Sequence, residues 1–253
     1  MIEVDSITFA YPSSSPIFVD FSWQVGRGET WTVLGPSGCG KSTLLYLLAG
    51  LQFPQKGQVR IDGKALTRPR PQTGLILQDY GLLPWATVRQ NAELGLKIRG
   101  FYGPDGTHAP TQVDWDNSVL PWLERLGIQA VADHYPSQIS GGQRQRTAIA
   151  RTLVLHPDLL LMDEPFSSLD APTREGLQTL ILQLQAENQL TLVMVTHSIE
   201  EAAFMGKKIL LLTQPPIHQA SIIENSQAGS EGYRKSEAYL ALCETLRTKL
   251  EQR

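Results

Sequence analysis

The chain has 253 residues, of which 22 are basic and 25 acidic, for a formal net charge of −3. Both signs are scattered along it, which argues against phosphate-backbone electrostatics as the main source of affinity and so against nucleic acid as a partner. Only Cys39 and Cys243 are present, too few for a disulfide framework, and both suit small filler positions in a reducing compartment.

At the N-terminus, MIEVDSITFAYP carries neither a basic n-region nor an apolar h-region. No later apolar run approaches the roughly 18 residues of a membrane span, so any membrane role is expected to come through a partner. In ITFAYP, Tyr11 stands where a strand-end aromatic is the plain expectation. Short apolar runs at Trp31 to Leu34, Leu75 to Leu77, Leu159 to Met162, Leu192 to Val195 and Ile209 to Leu212 predict strands buried on both faces. Between the later runs, Leu177, Leu180, Ile181 and Leu184 keep helical spacing, and Ser198 with Glu201 has the spacing of a capping box. This alternation predicts an α/β fold with a mostly parallel sheet.

From Asp79 to about Pro157 the alternation stops. Helical segments replace it, among them Val119, Leu123 and Leu126 ended by Gly127, and the expectation is a helical subdomain inserted into the sheet domain. The division is then 1–78 and 158–253 for the core and 79–157 for the insert. The stretch 101–112, FYGPDGTHAPTQ, predicts a surface loop. Tyr239, Leu242, Cys243, Leu246 and Leu250 form one stripe on a final helix that packs back on the core.

Chemistry concentrates in a few places. Gly35, Pro36, Ser37, Gly38, Cys39, Gly40, Lys41 and Ser42 fit G-x-x-x-x-G-K-[ST], preceded by an apolar strand and followed by a helix with Leu44, Leu45 and Leu48 that stops at Gly50. Such a loop aims backbone N–H groups at phosphate oxygens, Lys41 reaches the terminal phosphates and Ser42 offers its hydroxyl to Mg²⁺. In LLLMDEP, Asp163 ends a buried strand and is a candidate metal ligand, while the adjacent Glu164 is a candidate general base for water. Gln78 and His197 also follow apolar strands; each is either a satisfied strand-end residue or a group sensing metal, water and phosphate. ISGGQRQR, 139–146, makes a second glycine turn into a helix bearing Ile149 and Leu153, yet brings no base, carboxylate or metal ligand.

Taken in order, the loop at 35–42, Gln78, ISGGQ, LLLMDEP, SSLD at 167–170 and His197 resemble the ATP-binding subunit of an ABC transporter over nearly the whole chain. LLPWATVRQNAELGL at 82–96 and VTHSIEEAAFMGKKILLL at 195–212 are most similar to the importer branch that serves nitrate, taurine, sulfonates and thiamine precursors. The resemblance implies a P-loop NTPase fold: a RecA-like core with an N-terminal antiparallel sheet and a helical subdomain. It implies two copies of the chain, docked on two transmembrane permease subunits at the cytoplasmic face of the membrane and served by an extracytoplasmic solute-binding protein.

By the same resemblance Tyr11 stacks on adenine, and Gly35 to Thr43 hold the phosphates and Mg²⁺. Asp163 and Gln78 support the metal, Gln78 also couples to the subdomain, Glu164 is the base and His197 contacts the γ-phosphate. Ser140, Gly141, Gly142 and Gln143 grip ATP bound by the opposite copy, and Asp170 communicates with that copy. Ile139, Ser168 and Ser198 depart from the usual Leu, Ala and Asp without removing a catalytic group. Trp85 either anchors a helix of the membrane subunit or packs within the subdomain. The competing function is a soluble ABC ATPase acting as a cytosolic assembly factor, which has the same core motifs.

Overall fold

The computed structural model describes residues 1–102 and 115–251. In chain order its elements are β1 (Ile2–Phe9), β2 (Phe18–Val25), β3 (Thr30–Leu34), α1 (Lys41–Ala49), β4 (Lys56–Ile61), β5 (Lys64–Ala65), β6 (Thr73–Ile76), α2 (Val88–Tyr102), α3 (Trp115–Arg125) and α4 (Gly141–Leu153). They continue with β7 (Leu159–Asp163), α5 (Ala171–Asn188), β8 (Thr191–Thr196), α6 (Ile199–Met205), β9 (Lys208–Leu211), β10 (Ser221–Glu224) and α7 (Glu237–Glu251). The chain divides into two compact units, one of residues 1–70, 161–164 and 177–253, the other of residues 71–160 and 165–176.

The larger unit holds an antiparallel sheet in the order β2-β1-β4-β5. Ile2 faces Val25, Val4 faces Trp23 and Ile7 faces Phe21, so apolar residues of β1 and β2 meet on one buried face. The β1 alternation breaks once, at Asp5 and Ser6: the pairing with β2 shifts between Val4 and Ile7, and again between Ile7 and Phe9, the pairing with β4 slips between Asp5 and Thr8, and Ser6 is left-handed at φ 48°. Gly57 makes that bulge possible, because a Cβ there would lie 2.3 Å from the Asp5 carbonyl oxygen. This irregularity hid the strand from a period-two reading.

A second sheet has the strand order β10-β9-β3-β8-β7-β6. Strand β3 pairs in parallel with both β8 and β9, and β10 closes the edge antiparallel to β9. Every residue of β3, β7 and β8 is buried, as their continuous apolar runs predict. Leu77 falls outside β6, because its carbonyl accepts from the Tyr80 N–H in a turn. Helix α7 buries Tyr239, Cys243 and Leu246, and neither cysteine is bonded to another.

In the smaller unit the described residues between 79 and 157 form helices and short 3₁₀ turns and no strand. Val119, Leu123 and Leu126 are buried, and Gly127, at φ 66°, ends that segment. Of the expected loop at 101–112, Phe101 and Tyr102 complete α2, and the remainder lies outside the described residues. Among the described residues no helix is long and apolar enough to cross a membrane.

The turn from β2 into β3 is organised by one carboxylate. Glu29 accepts from the Gly26 N–H at 2.8 Å, the buried Trp31 indole N–H at 2.6 Å and the Lys208 ammonium at 2.6 Å. Burial would push the Glu29 carboxyl up; the Lys208 and Trp31 donors and the Gly26 N–H outweigh it and hold the group below its ordinary 4.5. Glu29→Gln is expected to lower stability by about 1–3 kcal/mol at neutral pH, measured by urea denaturation. A depressed carboxyl stabilises above its unfolded value and ceases to as pH falls through its folded value, so the gap between wild type and variant should close in acid.

Candidate functional site

Strand β3 delivers the chain at Leu34 into a loop that folds sharply before α1 starts at Lys41. Gly38 and Gly40 are left-handed, at φ 77° and 100°. Around Gly40 there is no room for a side chain, since a Cβ would lie 2.4 Å from Ile17 Cγ2; at Gly35 it would lie 2.7 Å from Cys39 Sγ. The backbone therefore curls tightly, and α1 opens with no acidic side chain in its first turn to offset the positive end of the helix. Ser37 and Gly38 are exposed at the tip, Pro36 is half-buried, and Cys39 is fully buried with its thiol pushed up by that burial against the opposing pull of Lys41.

Lys41 is only 6% exposed. Its ammonium donates to the Gly35 and Pro36 carbonyls, each at 2.9 Å, so the loop's own oxygens hold the charge. Thr43 is buried one residue beyond Ser42, and its hydroxyl lies 3.4 Å from that of Tyr11. Tyr11 sits two residues past β1 with its ring edge-on to Phe9 at 5.1 Å. The aromatic thus reaches the loop's helix while remaining half-exposed.

At the end of β7, Asp163 is 4% exposed and accepts from the Ser42 hydroxyl at 3.0 Å. Burial pushes its carboxyl up, the Ser42 hydrogen bond opposes that, Glu164 raises it further, and Lys41 and a hydrogen bond from Tyr46 pull it down. Tyr46 is a contributor that sequence reasoning missed; its only signal is the i, i+4 spacing from Ser42 on α1.

Glu164 comes next with φ 44°, a left-handed conformation that is rare for a residue with a side chain. Its N–H donates to the Val195 carbonyl at 3.0 Å, tying it to β8. One carboxylate oxygen lies 2.9 Å from His197 Nδ1. His197 leaves β8 with its side chain 60% exposed, just before α6. That turn is fixed by its neighbours: Ser198 Oγ accepts from the Glu201 N–H at 3.2 Å, and Thr196 Oγ1 donates to the Glu201 carboxylate at 2.6 Å. Of the capping box expected from Ser198 and Glu201, the cap is made, and the Glu201 side chain reaches Thr196.

The other expected residues lie in the smaller unit. Gln78 is exposed two residues beyond β6. Ser140 caps α4: its Oγ accepts from the Gln143 N–H at 3.3 Å, and Gln143 Oε1 accepts from the Ser140 N–H at 2.9 Å. Gly142 is buried so closely that a Cβ would lie 2.7 Å from Thr173 Cγ2, whereas Gly141 is half-buried. Asp170 is exposed and caps α5, accepting from the Thr173 N–H at 3.1 Å, a bond that holds its carboxyl low. The structure thus gathers Tyr11, Gly35 to Thr43, Asp163, Glu164 and His197 in the larger unit, and Gln78, Ser140 to Gln143 and Asp170 in the smaller.

A strand, a glycine turn and a helix opening on Lys41 and Ser42, with an acidic residue bonded to Ser42, define a P-loop nucleoside triphosphatase. The model of the ABC transporter family matches residues 18–167, and the chain belongs to that family: it is an ATP-binding cassette and an ATP hydrolase. It is 44% identical over 200 residues to the taurine import ATP-binding protein TauB of Pseudomonas aeruginosa, covering 79% of this chain and 73% of that one. The aliphatic sulfonates import ATP-binding protein SsuB of Bacillus anthracis is 36% identical over 224 residues, 88% of this chain and 84% of the other. Among solved structures, a dimeric ATP-binding cassette in a post-hydrolysis state with ADP and Pi matches with a TM-score of 0.76 and 29% identity, over 88% of this chain and 98% of that one.

Gly40→Ala should destabilise the protein by about 1–3 kcal/mol, from backbone strain and the collision with Ile17. It should also weaken ATP binding at least tenfold. Gly38→Ala, where a Cβ meets nothing within 4 Å, is expected to cost the strain alone. Thermal denaturation and titration with a fluorescent ATP analogue would separate the two.

Proposed function

We propose that this chain is the ATP-hydrolysing subunit of an importer for a small solute of the taurine, sulfonate or nitrate type, with thiamine precursors in the same range. The observation that carries the reading is the paired geometry beyond the Lys41 loop: Ser42 on Asp163 at 3.0 Å, and His197 on Glu164 at 2.9 Å. The two named relatives are import subunits, and neither is a cytosolic assembly factor.

The residues present fit Mg²⁺, since a hydroxyl and a buried carboxylate already converge as hard oxygen donors. Among the described residues no cluster of three or more His, Cys, Asp or Glu is placed to hold a metal, so phosphate oxygens, water and the Gln78 amide would complete the shell beside Ser42 and Asp163. When bound, the cation neutralises charge on the β- and γ-phosphates. Lys41 exchanges its loop carbonyls for phosphate oxygens, and the N–H groups of Gly38 to Thr43 point at the same anion. Tyr11 stacks on adenine.

Glu164 accepts the proton of the attacking water through the carboxylate oxygen that His197 leaves free. His197 engages Glu164 through Nδ1 and turns its other ring nitrogen to the γ-phosphate. Ser140, Gly141, Gly142 and Gln143 meet the γ-phosphate of ATP held by a second copy, with Asp170 signalling between the copies. Ligand state then biases opening and closing, because only ATP is gripped from both sides. The dimeric, nucleotide-bound relative supports this arrangement. Residues 79–157 are proposed as an inserted helical subdomain within a core of 1–78 and 158–253. Trp85, 73% exposed, offers an anchor for a permease subunit at the cytoplasmic face of the membrane, with a solute-binding protein beyond it.

Glu164→Gln should bind ATP normally, lose about 10²–10⁴-fold in turnover and accumulate as an ATP-bound dimer; ordinary steady-state hydrolysis by this variant would remove Glu164 from the base role. Ser140→Arg should spare ATP binding by the monomer and block ATP-dependent dimerisation in size-exclusion chromatography. Unchanged dimerisation would refute the shared site. Co-purification from detergent-solubilised membranes tests the transport reading, which a consistently soluble complex would overturn.

A further inference from the structure

A cavity of about 830 Å³ lies within the larger unit, bounded by the C-terminal half of α5, by α6 and by the segment that leads from β10 toward α7. Its size falls in the range that accommodates small ligands. None of the nucleotide-site residues lines it. The floor is apolar, from Leu182, Ala186 and Phe204, while Lys207, Arg234 and Lys235 supply three positive charges. Against them stands one carboxylate, Glu231, which is exposed.

Arg234 is the informative residue. Its guanidinium carbon lies 3.4 Å above the centre of the Phe204 ring, and one of its N–H groups donates to the Gln178 side-chain oxygen. Stacking and this hydrogen bond fix the fork in a half-buried position, and both partners are neutral. No carboxylate of the described residues lies within ion-pair distance of Arg234, Lys207 or Lys235. An ordered, half-buried guanidinium without a counter-charge keeps its remaining N–H donors available to an anion. Preorganised forks of this kind take planar or tetrahedral oxyanions by paired N–H donation.

We propose that this cavity binds a small organic anion, a carboxylate or sulfonate with a short apolar body. The headgroup lies against Arg234 with Lys207 and Lys235 around it, and the body covers Leu182 and Ala186. The site is separate from the nucleotide machinery and does not depend on the transport reading.

The test is isothermal titration of the purified full chain with hexanesulfonate, hexanoate, hexan-1-ol and inorganic phosphate, each with and without a saturating non-hydrolysable ATP analogue. The two organic anions should bind saturably, tighter than about 1 mM, with the alcohol and phosphate at least tenfold weaker. Binding should survive the ATP analogue. Arg234→Gln should weaken both anions at least tenfold, and Lys207→Gln, at an exposed position that leaves folding alone, about threefold. No saturable binding by wild type, equal binding of the alcohol or phosphate, displacement by the ATP analogue, or full affinity in a folded Lys207→Gln chain would each overturn the proposal.

Discussion

The carboxylate of Asp163 is the constraint around which the site is built. An acidic group at the end of a wholly buried strand is unfavourable unless donors or cations surround it. Here Ser42 and Tyr46 come from one face of α1, and Lys41 stands at the head of the same helix. The helix that follows the phosphate loop is therefore also the element that makes the buried acid tolerable. Moving α1 would strand the carboxylate, so the position of the loop and that of the Asp163 carboxylate are set by the same contacts.

The next residue applies a second constraint. Glu164 turns left-handed as the strand ends, and its N–H is held by β8, the strand that also delivers His197. Acid and imidazole thus meet because two strands end together and one backbone bond locks the offset. The Ser198 cap and the Thr196–Glu201 bond then fix the direction in which α6 departs. Strain at one position is tolerated where the surroundings over-determine it.

How much of this the sequence discloses depends on the kind of signal. Strands β3, β7 and β8 are legible because burial on both faces leaves an unbroken apolar run. The phosphate loop is legible because its glycines answer to backbone geometry, which leaves little choice of residue. Strand β1 is not, because the bulge at Ser6 breaks its period, and its antiparallel partners were expected only through family resemblance. Tyr46 is not, because an aromatic in a leucine-rich helix looks like core until its hydroxyl is placed. Ser140 is legible for its local role: its spacing to Gln143 is that of a capping box, and the cap forms.

Lys41 resting on the Gly35 and Pro36 carbonyls has a mechanical meaning. The ammonium ties the head of α1 back to the residues that leave β3, so the turn is clasped by a side chain as well as by its own backbone. A neutral residue at this position would remove a charge and, with it, the fastening that joins the two ends of the loop.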